Sequence, residues 1–341
     1  MRKFAYLIAL TASFILASCS NDDIPVEKQT VVRVNPSTIM TPFSYQISPG
    51  DLDGVDATQN VRIRLFVYDE NGDLYTSEQQ DVKNYLTSAA FNLNLDNEKN
   101  YTVIAISDVT DTNDGSVAEY WTVSDQKDIN TLKITYAGSD TNYGDQEILG
   151  VSSATVSSGD NATINLQAAG ALVCTHVSNI HAYSNIEKIL IWGSRGNGFF
   201  DFESNGTLNS NPDLDILPDF LDIDVPNTSY SGIYSYKFLM PQTNYELALR
   251  FFDGNGESLG TGFKEGLRLE KGHEYLFYVE LDPNGLGDNT YSSDFVDVTN
   301  KQANAPAARG AANAGSIKTV IECKSASPSK NNTSYKVKDL L

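Results

Sequence analysis

The chain has 341 residues and a formal net charge of −20 at pH 7, from 44 acidic against 24 basic side chains. That length suits about two domains of ~150 residues each, and a body so acidic repels phosphate backbones, which excludes a nucleic-acid partner. Three cysteines and three histidines are too few for a disulfide framework.

At the N-terminus Arg2 and Lys3 precede an apolar run, Phe4 to Ala17, that is too short to cross a bilayer. Leu16-Ala17-Ser18-Cys19 resembles the lipobox of bacterial lipoproteins, in which the cysteine is acylated before the signal is cut away. The plainer alternative is an ordinary signal peptide cut near Ala17. Residues 1–18 are therefore read as a lipoprotein signal peptide, Cys19 as the lipidation site (palmitate-type chains), and 19–28 as a tether. Acyl chains worth about 0.8 kcal/mol per buried CH2 make a durable anchor when more than one is attached. Ser20-Asn21-Asp22-Asp23 is similar to the acidic signal that sends some outer-membrane lipoproteins to the cell surface.

After the tether, Thr30 to Val34 (TVVRV) predicts a strand, and FSYQI another within a loop. RIRLFVYDENGDLYTSEQQ predicts a hairpin, with Asn71-Gly72 as a type I′ turn. FNLNL, NYTVIAISD, LKITYA, ILGVSSATV and ATINLQ read as further strands, whereas Asp114 to Trp121 could hold one helical turn. From Ala168 the pattern starts afresh with ALVCTHV, KILIWGS, GFFDFES, SYKFLMP, YELALRFFD, GFKEGLRLE and EYLFYVELD. YDENGDL is echoed by FDGNGESL, and NYTVIAISD by EYLFYVELD, which suggests related halves. Short strands of this kind bury one face each and pair sheet on sheet, so the expected fold is all-β, two tandem β-sandwiches. The boundaries are 29–167 and 168–285, followed by a flexible basic tail, 286–341, with one strand-like piece at Ser316 to Cys323. The stretch from Thr299 carries seven Lys/Arg against two Asp/Glu, so the body is more acidic than the whole chain.

Chemistry is sparse. No HExxH, GxSxG, P-loop or GxGxxG occurs. His176 and His181 are five apart in a strand-like segment and so point to opposite faces, and no metal or other cofactor is expected. Asp69-Glu70-Asn71-Gly72-Asp73 begins like a calcium loop, but Leu74 stands where Gly is needed and Gln80 where the bidentate Glu belongs. Asp213, Asp215, Asp219, Asp222 and Asp224 read as a solvated acidic loop. Cys174 reads as a small buried hydrophobe, with a disulfide to Cys323 left open. No catalytic residue is assigned, and an enzyme is not expected.

The lipobox, NVRIRLFVYDENGDLY, NYTVIAISD, the ILGVSSATVSSGDNATINLQAAGALVCTHVSNI join and the closing LRLEKGHEYLFYVELD together resemble the fimbrillin-type family, the subunits and anchors of type V pili on Gram-negative envelopes. The likeness spans roughly Val31 to Asp282. It implies transthyretin-like sandwiches, a surface-exposed lipoprotein of the outer membrane, adhesion within a fimbrium, and other pilus subunits as partners. In polymerising members, a cut after a basic residue near the N-terminal strand opens a groove that a neighbour's strand fills. Lys28 and Arg33 are the basic residues that match such a processing site, and anchor members keep their lipid. The competing expectations are a glycan-binding outer-membrane lipoprotein of a polysaccharide-uptake system and a secreted hydrolase.

Overall fold

Alternating apolar and polar residues, rich in Val, Ile, Tyr and Phe, bury their apolar sides only when sheets stack. A computed structural model describes residues 29–40, 59–113, 116–136, 148–178, 183, 185–195, 221–224, 232–281, 291–299 and 334–341, and the fold is all-β. Cys19, Lys28, FSYQI, GFFDFES, Asp213, Asp215, Asp219, His181 and Ser316 to Cys323 lie outside the described residues. Among the described residues no helix is long and apolar enough to cross a membrane.

The first half supplies β1 (Thr30–Asn35), β2 (Gln59–Tyr68), β3 (Leu74–Val82), β4 (Ala89–Leu93), β5 (Asn100–Asn113) and β6 (Ser116–Glu119). It continues with β7 (Trp121–Ser124), β8 (Lys133–Tyr136), β9 (Gly150–Ser157), β10 (Asn161–Asn165) and β11 (Gln167–Ala168). One sheet runs β10-β1-β4 and a larger one β11-β9-β5-β2-β3, with β6 beside β5. β2 is buried along both faces. Alternation sets Val61, Ile63, Leu65 and Val67 on one side and Arg62, Arg64, Phe66 and Tyr68 on the other. The second side is roofed by β7 and β8: Tyr68 Oη donates to Gln126 O at 3.1 Å, and Arg62 Nη2 to Trp121 O at 2.9 Å.

The second half supplies β12 (Ala171–Ser178), β13 (Lys188–Arg195), β14 (Leu221–Asp224), β15 (Gly232–Leu239) and β16 (Gln242–Phe252). β17 (Ser258–Leu269), β18 (Glu274–Leu281) and β19 (Tyr291–Asp297) complete it. Its sheets run β15-β12-β18-β19 and β14-β13-β16-β17. The unbroken apolar run of β12 has a reason: both of its faces are covered. Val173, Val177, Phe277 and Val279 pack in a second core with Phe251, while Leu172, Cys174, Phe238 and Leu276 join the core of the first half.

The two halves repeat one topology. β1 pairs in parallel with β10 and antiparallel with β4, as β12 does with β18 and β15. The order β3-β2-β5-β9 likewise matches β14-β13-β16-β17. The sequence echoes fall at different places in this repeat, since the Asn-Gly turn joins β2 to β3 in one half and β16 to β17 in the other. What they share is turn chemistry.

That chemistry corrects the turn type. Gly72 has φ +87°, but Asn71 is not among the residues with positive φ, so the turn is not type I′. Gly72 N–H donates to Asp69 O, and Asp69 N–H to Asp73 O, which is a type I turn closed by a glycine bulge. Asp253 to Glu257 repeats the bonding, with Gly256 at φ +82°. A Cβ on Gly72 would meet Ile129 Cγ2 at 3.0 Å, whereas one on Gly256 would meet nothing within 4 Å. Gly72→Val is therefore expected to cost more than Gly256→Val, which pays only the left-handed backbone penalty of about 1–2 kcal/mol. Paired thermal melts check this; equal losses would mean that Ile129 gives way freely.

The expected helical turn at Asp114 to Trp121 is replaced by strand: Ser116–Glu119 extends against β5 and Trp121–Ser124 against β8. Within the stretch read as a tail, β19 extends the sheet beside β18, and β20 (Ser334–Lys336) leads into a one-turn helix, α1 (Val337–Leu340).

Candidate assembly site

β1 is six residues long and is bonded along both edges. Val31 to Asn35 pair with Asn161 to Asn165, and Thr30 to Val34 with Leu93 to Ala89. It is the middle strand of its sheet, with β10 on one side and β4 on the other. Thr30, Val32 and Val34 turn inward with no exposed area, and Arg33 faces solvent. Each fully buried valine is worth roughly 1.5 kcal/mol or more.

The ends of the strand are fastened by polar contacts. Thr30 Oγ1 donates to Ser157 O at 3.0 Å and accepts from Gly159 N at 2.8 Å. At the other end Ser88 Oγ donates to Asn35 Oδ1 at 2.6 Å, and Asn35 Nδ2 to Asn165 Oδ1 at 2.9 Å. A single 3-10 turn, Pro36–Met40, follows and seats Ile39 against Gly150, where a Cβ would collide with it. Without β1, the facing edges of β4 and β10 would carry unpaired N–H and C=O groups above a slot sized for two small apolar side chains. Such a slot selects an extended segment with apolar residues at alternate positions.

Among the other sequence candidates, Cys174 is a buried free thiol 3.7 Å from Glu274 Oε1, and burial pushes its pKa well above the ordinary thiol value. His176 is buried edge-on to Tyr278 at 5.1 Å, and burial pushes its pKa down to about 4. His273 sits apart, with Nδ1 2.9 Å from Asp297 Oδ2. No group of three or more His, Cys, Asp or Glu placed to hold a metal occurs among the described residues. Asp222 and Asp224 lie on β14. Trp121 is buried and turns inward.

A shallow polar depression of about 540 Å³ opens between the Asp69–Gly72 turn and the ends of β5 and β9. Its carboxylates are spent on the backbone. Asp69 accepts from the N–H groups of Asp73 and Asn71, which hold its pKa below the ordinary carboxylate value, and Glu70 Oε1 accepts from Asn100 N. Tyr101, the one aromatic residue lining it, is 1% exposed and offers no platform for a sugar ring.

A feature that sequence reasoning did not find is the buried cluster of Arg62, Arg64 and Asp108. Arg62 Nη2 lies 2.7 Å from Asp108 Oδ2, and Arg64 Nη2 3.1 Å from Asp108 Oδ1. Alternation in VRIRLFVY marks both arginines as facing away from the sandwich core. Nothing local in the sequence signals the third layer that covers them.

No protein-family model matches the chain, and no curated protein does. Solved structures similar to it include a DUF1812 protein from Bacteroides thetaiotaomicron VPI-5482, at 13% identity and a TM-score of 0.43, covering 80% of this chain and 96% of that one. A fimbrial assembly protein from Parabacteroides distasonis ATCC 8503 aligns at 12% identity and a TM-score of 0.40, covering 79% and 95%. The tip fimbrial protein Mfa3 from Porphyromonas gingivalis, truncated at its C-terminus, aligns at 9% identity and a TM-score of 0.39, covering 79% and 99%.

Proposed function

We propose that the chain is a non-enzymatic fimbrial subunit of anchor or accessory type, held at the outer membrane through lipid on Cys19, that joins other pilus subunits by exchange of β1. One observation carries the reading. The first strand of each half is an inner strand of its sheet, paired on both edges, but the two differ in what holds them in the chain. β12 follows β11 directly and cannot leave without parting the halves. β1 is preceded by the tether and joined to β2 through the docked 3-10 turn and residues 41–58, so no short connection ties it to either of its sheet neighbours.

In this reading the domains are 29–167 and 168–285, the second completed by β19 beyond its expected end, and the two share one strand plan. A form that keeps β1 stays self-complemented; a form that loses it offers the slot to a neighbour's strand. Arg33 and Lys28 remain the processing candidates, and a cut after either would release the body from the lipid on Cys19, so the anchored form is the uncut one. The Arg33 peptide is closed along both edges by Ala90 and Thr163, so a cut there must follow opening of the strand, because proteases bind extended backbone. Lys28 stands ahead of the strand.

The test is made in cells. A photo-cross-linking residue placed at Asn92, which is exposed and pairs with Val31, is expected to capture other pilus subunits in the envelope fraction. Cross-links confined to residues 29–36 of the same chain would overturn exchange at this slot.

A further inference from the structure

The last eight described residues, Ser334 to Leu341, are held by both halves at once. β20 lies antiparallel on the outer edge of β8, with Tyr335 opposite Ile134, and Val337 N–H donates to Leu132 O at 3.0 Å. The short helix then drops Val337 (0% exposed) and Leu340 (5% exposed) into the core of the first half, and the Tyr335 ring stands 6.5 Å from that of Trp121. From the other side comes Lys271, in the turn between β17 and β18. Its Nζ donates to the backbone oxygens of Leu340 at 3.1 Å and Leu341 at 2.6 Å. The same turn bonds to the start of the second half through Gly272 N–H to Gly170 O at 2.7 Å.

We propose that residues 334–341 form a releasable strap, which seals the outer edge of β8 and fastens the β17–β18 turn of the second half to the first. The inference does not depend on exchange of β1. A three-residue strand and one helical turn make few hydrogen bonds, so this segment opens at lower free energy than the long ladders of β5. Its departure would bare the β8 edge and the flank of Trp121. That edge is a pairing surface the closed chain does not show.

The reporter is the Val337 amide, followed by hydrogen exchange on the full chain. Exchange in the unaltered protein is expected to be slower than in a free peptide yet faster than at Val103 or Ala105 in β5. Lys271→Met is expected to speed it about tenfold, the loss of a charge-assisted hydrogen bond. Leu340→Ala should speed it at least as much, with β5 unchanged in both. Free-peptide exchange at Val337 in the unaltered chain would overturn the strap, and so would exchange that only keeps pace with β5. An unchanged rate in Lys271→Met would overturn the fastening to the second half. Protection that fades on dilution would show that a second copy supplies the segment, which also overturns it.

Discussion

Asp108→Ala is expected to destabilise the first half by about 3–5 kcal/mol, the usual cost of stripping a buried ion pair of one partner. Asp108 has no exposed area, and it takes two hydrogen bonds from Arg62, at 2.7 and 3.1 Å, besides its contact with Arg64. Its removal leaves two guanidinium groups in the layer between β2 and β7 without their carboxylate. Both also donate to Trp121 O, so β7 and the β8 edge beside it are expected to loosen first. In a domain of this size the melting temperature should fall by roughly 10 °C. The informative control is the triple replacement Arg62→Met, Arg64→Leu, Asp108→Leu. Removing all three charges should restore much of the loss, since an apolar cluster needs no pairing. A drop below 1 kcal/mol for Asp108→Ala alone would mean that solvent reaches the site.

His176 should make the protein acid-sensitive in a window where carboxylates are still charged. Burial beside Tyr278 pushes its pKa to about 4, below the ordinary imidazole value of 6.5. Between those values the unfolded chain binds the extra proton and the folded chain does not. The stability His176 contributes is therefore complete above ~6.5 and drains away as the pH falls towards 4. At pH 4.5 the loss is roughly 2–3 kcal/mol. His176→Gln should remove this slope, and urea titrations at pH 7 and 4.5 measure the difference. Asp69, Asp253 and Asp297 also have lowered pKa values. Their stabilising share, present above the ordinary carboxylate value, is lost only at still lower pH, so the two windows separate. Identical slopes for the two proteins would place His176 in contact with water.

Much of the strand plan can be read from alternation alone. NYTVIAISD, ILGVSSATV and ALVCTHV are strands because nothing else buries their β-branched sides. β19 escapes such reading because YSSDFVD has little apolar alternation; it is a strand because β18 presents an open edge to it. The docked end escapes for a related reason: Val337 and Leu340 are two apolar residues at helical spacing, and only the fold shows the core that receives them. Asn-Gly was a true sign of a hairpin but not of its type, which the Asp69 carboxylate decides by bonding the N–H groups of Asn71 and Asp73. The repeat shows in the sequence only as a hint, because turn residues recur for local reasons while topology recurs for global ones. The candidate site shows the same division. TVVRV is legible as a strand, but its place between β4 and β10 is a property of pairing with strands roughly 60 and 130 residues further along the chain.

Whether β1 must leave that place is the point on which the assembly proposal turns, and a covalent lock tests it directly. Arg33 and Ala90 face each other on paired strands, and both are exposed, so Arg33→Cys with Ala90→Cys can close a disulfide across the pair in an oxidising envelope. Arg33→Cys alone controls for loss of the basic residue. The measurement is the share of the chain found in high-mass complexes with other pilus subunits, with and without a mild reductant. Exchange of β1 requires the locked form to remain outside those complexes until the disulfide is reduced, while the single variant enters them. Equal entry of locked and reduced protein would contradict the proposal, because β1 would then have stayed in its slot throughout assembly.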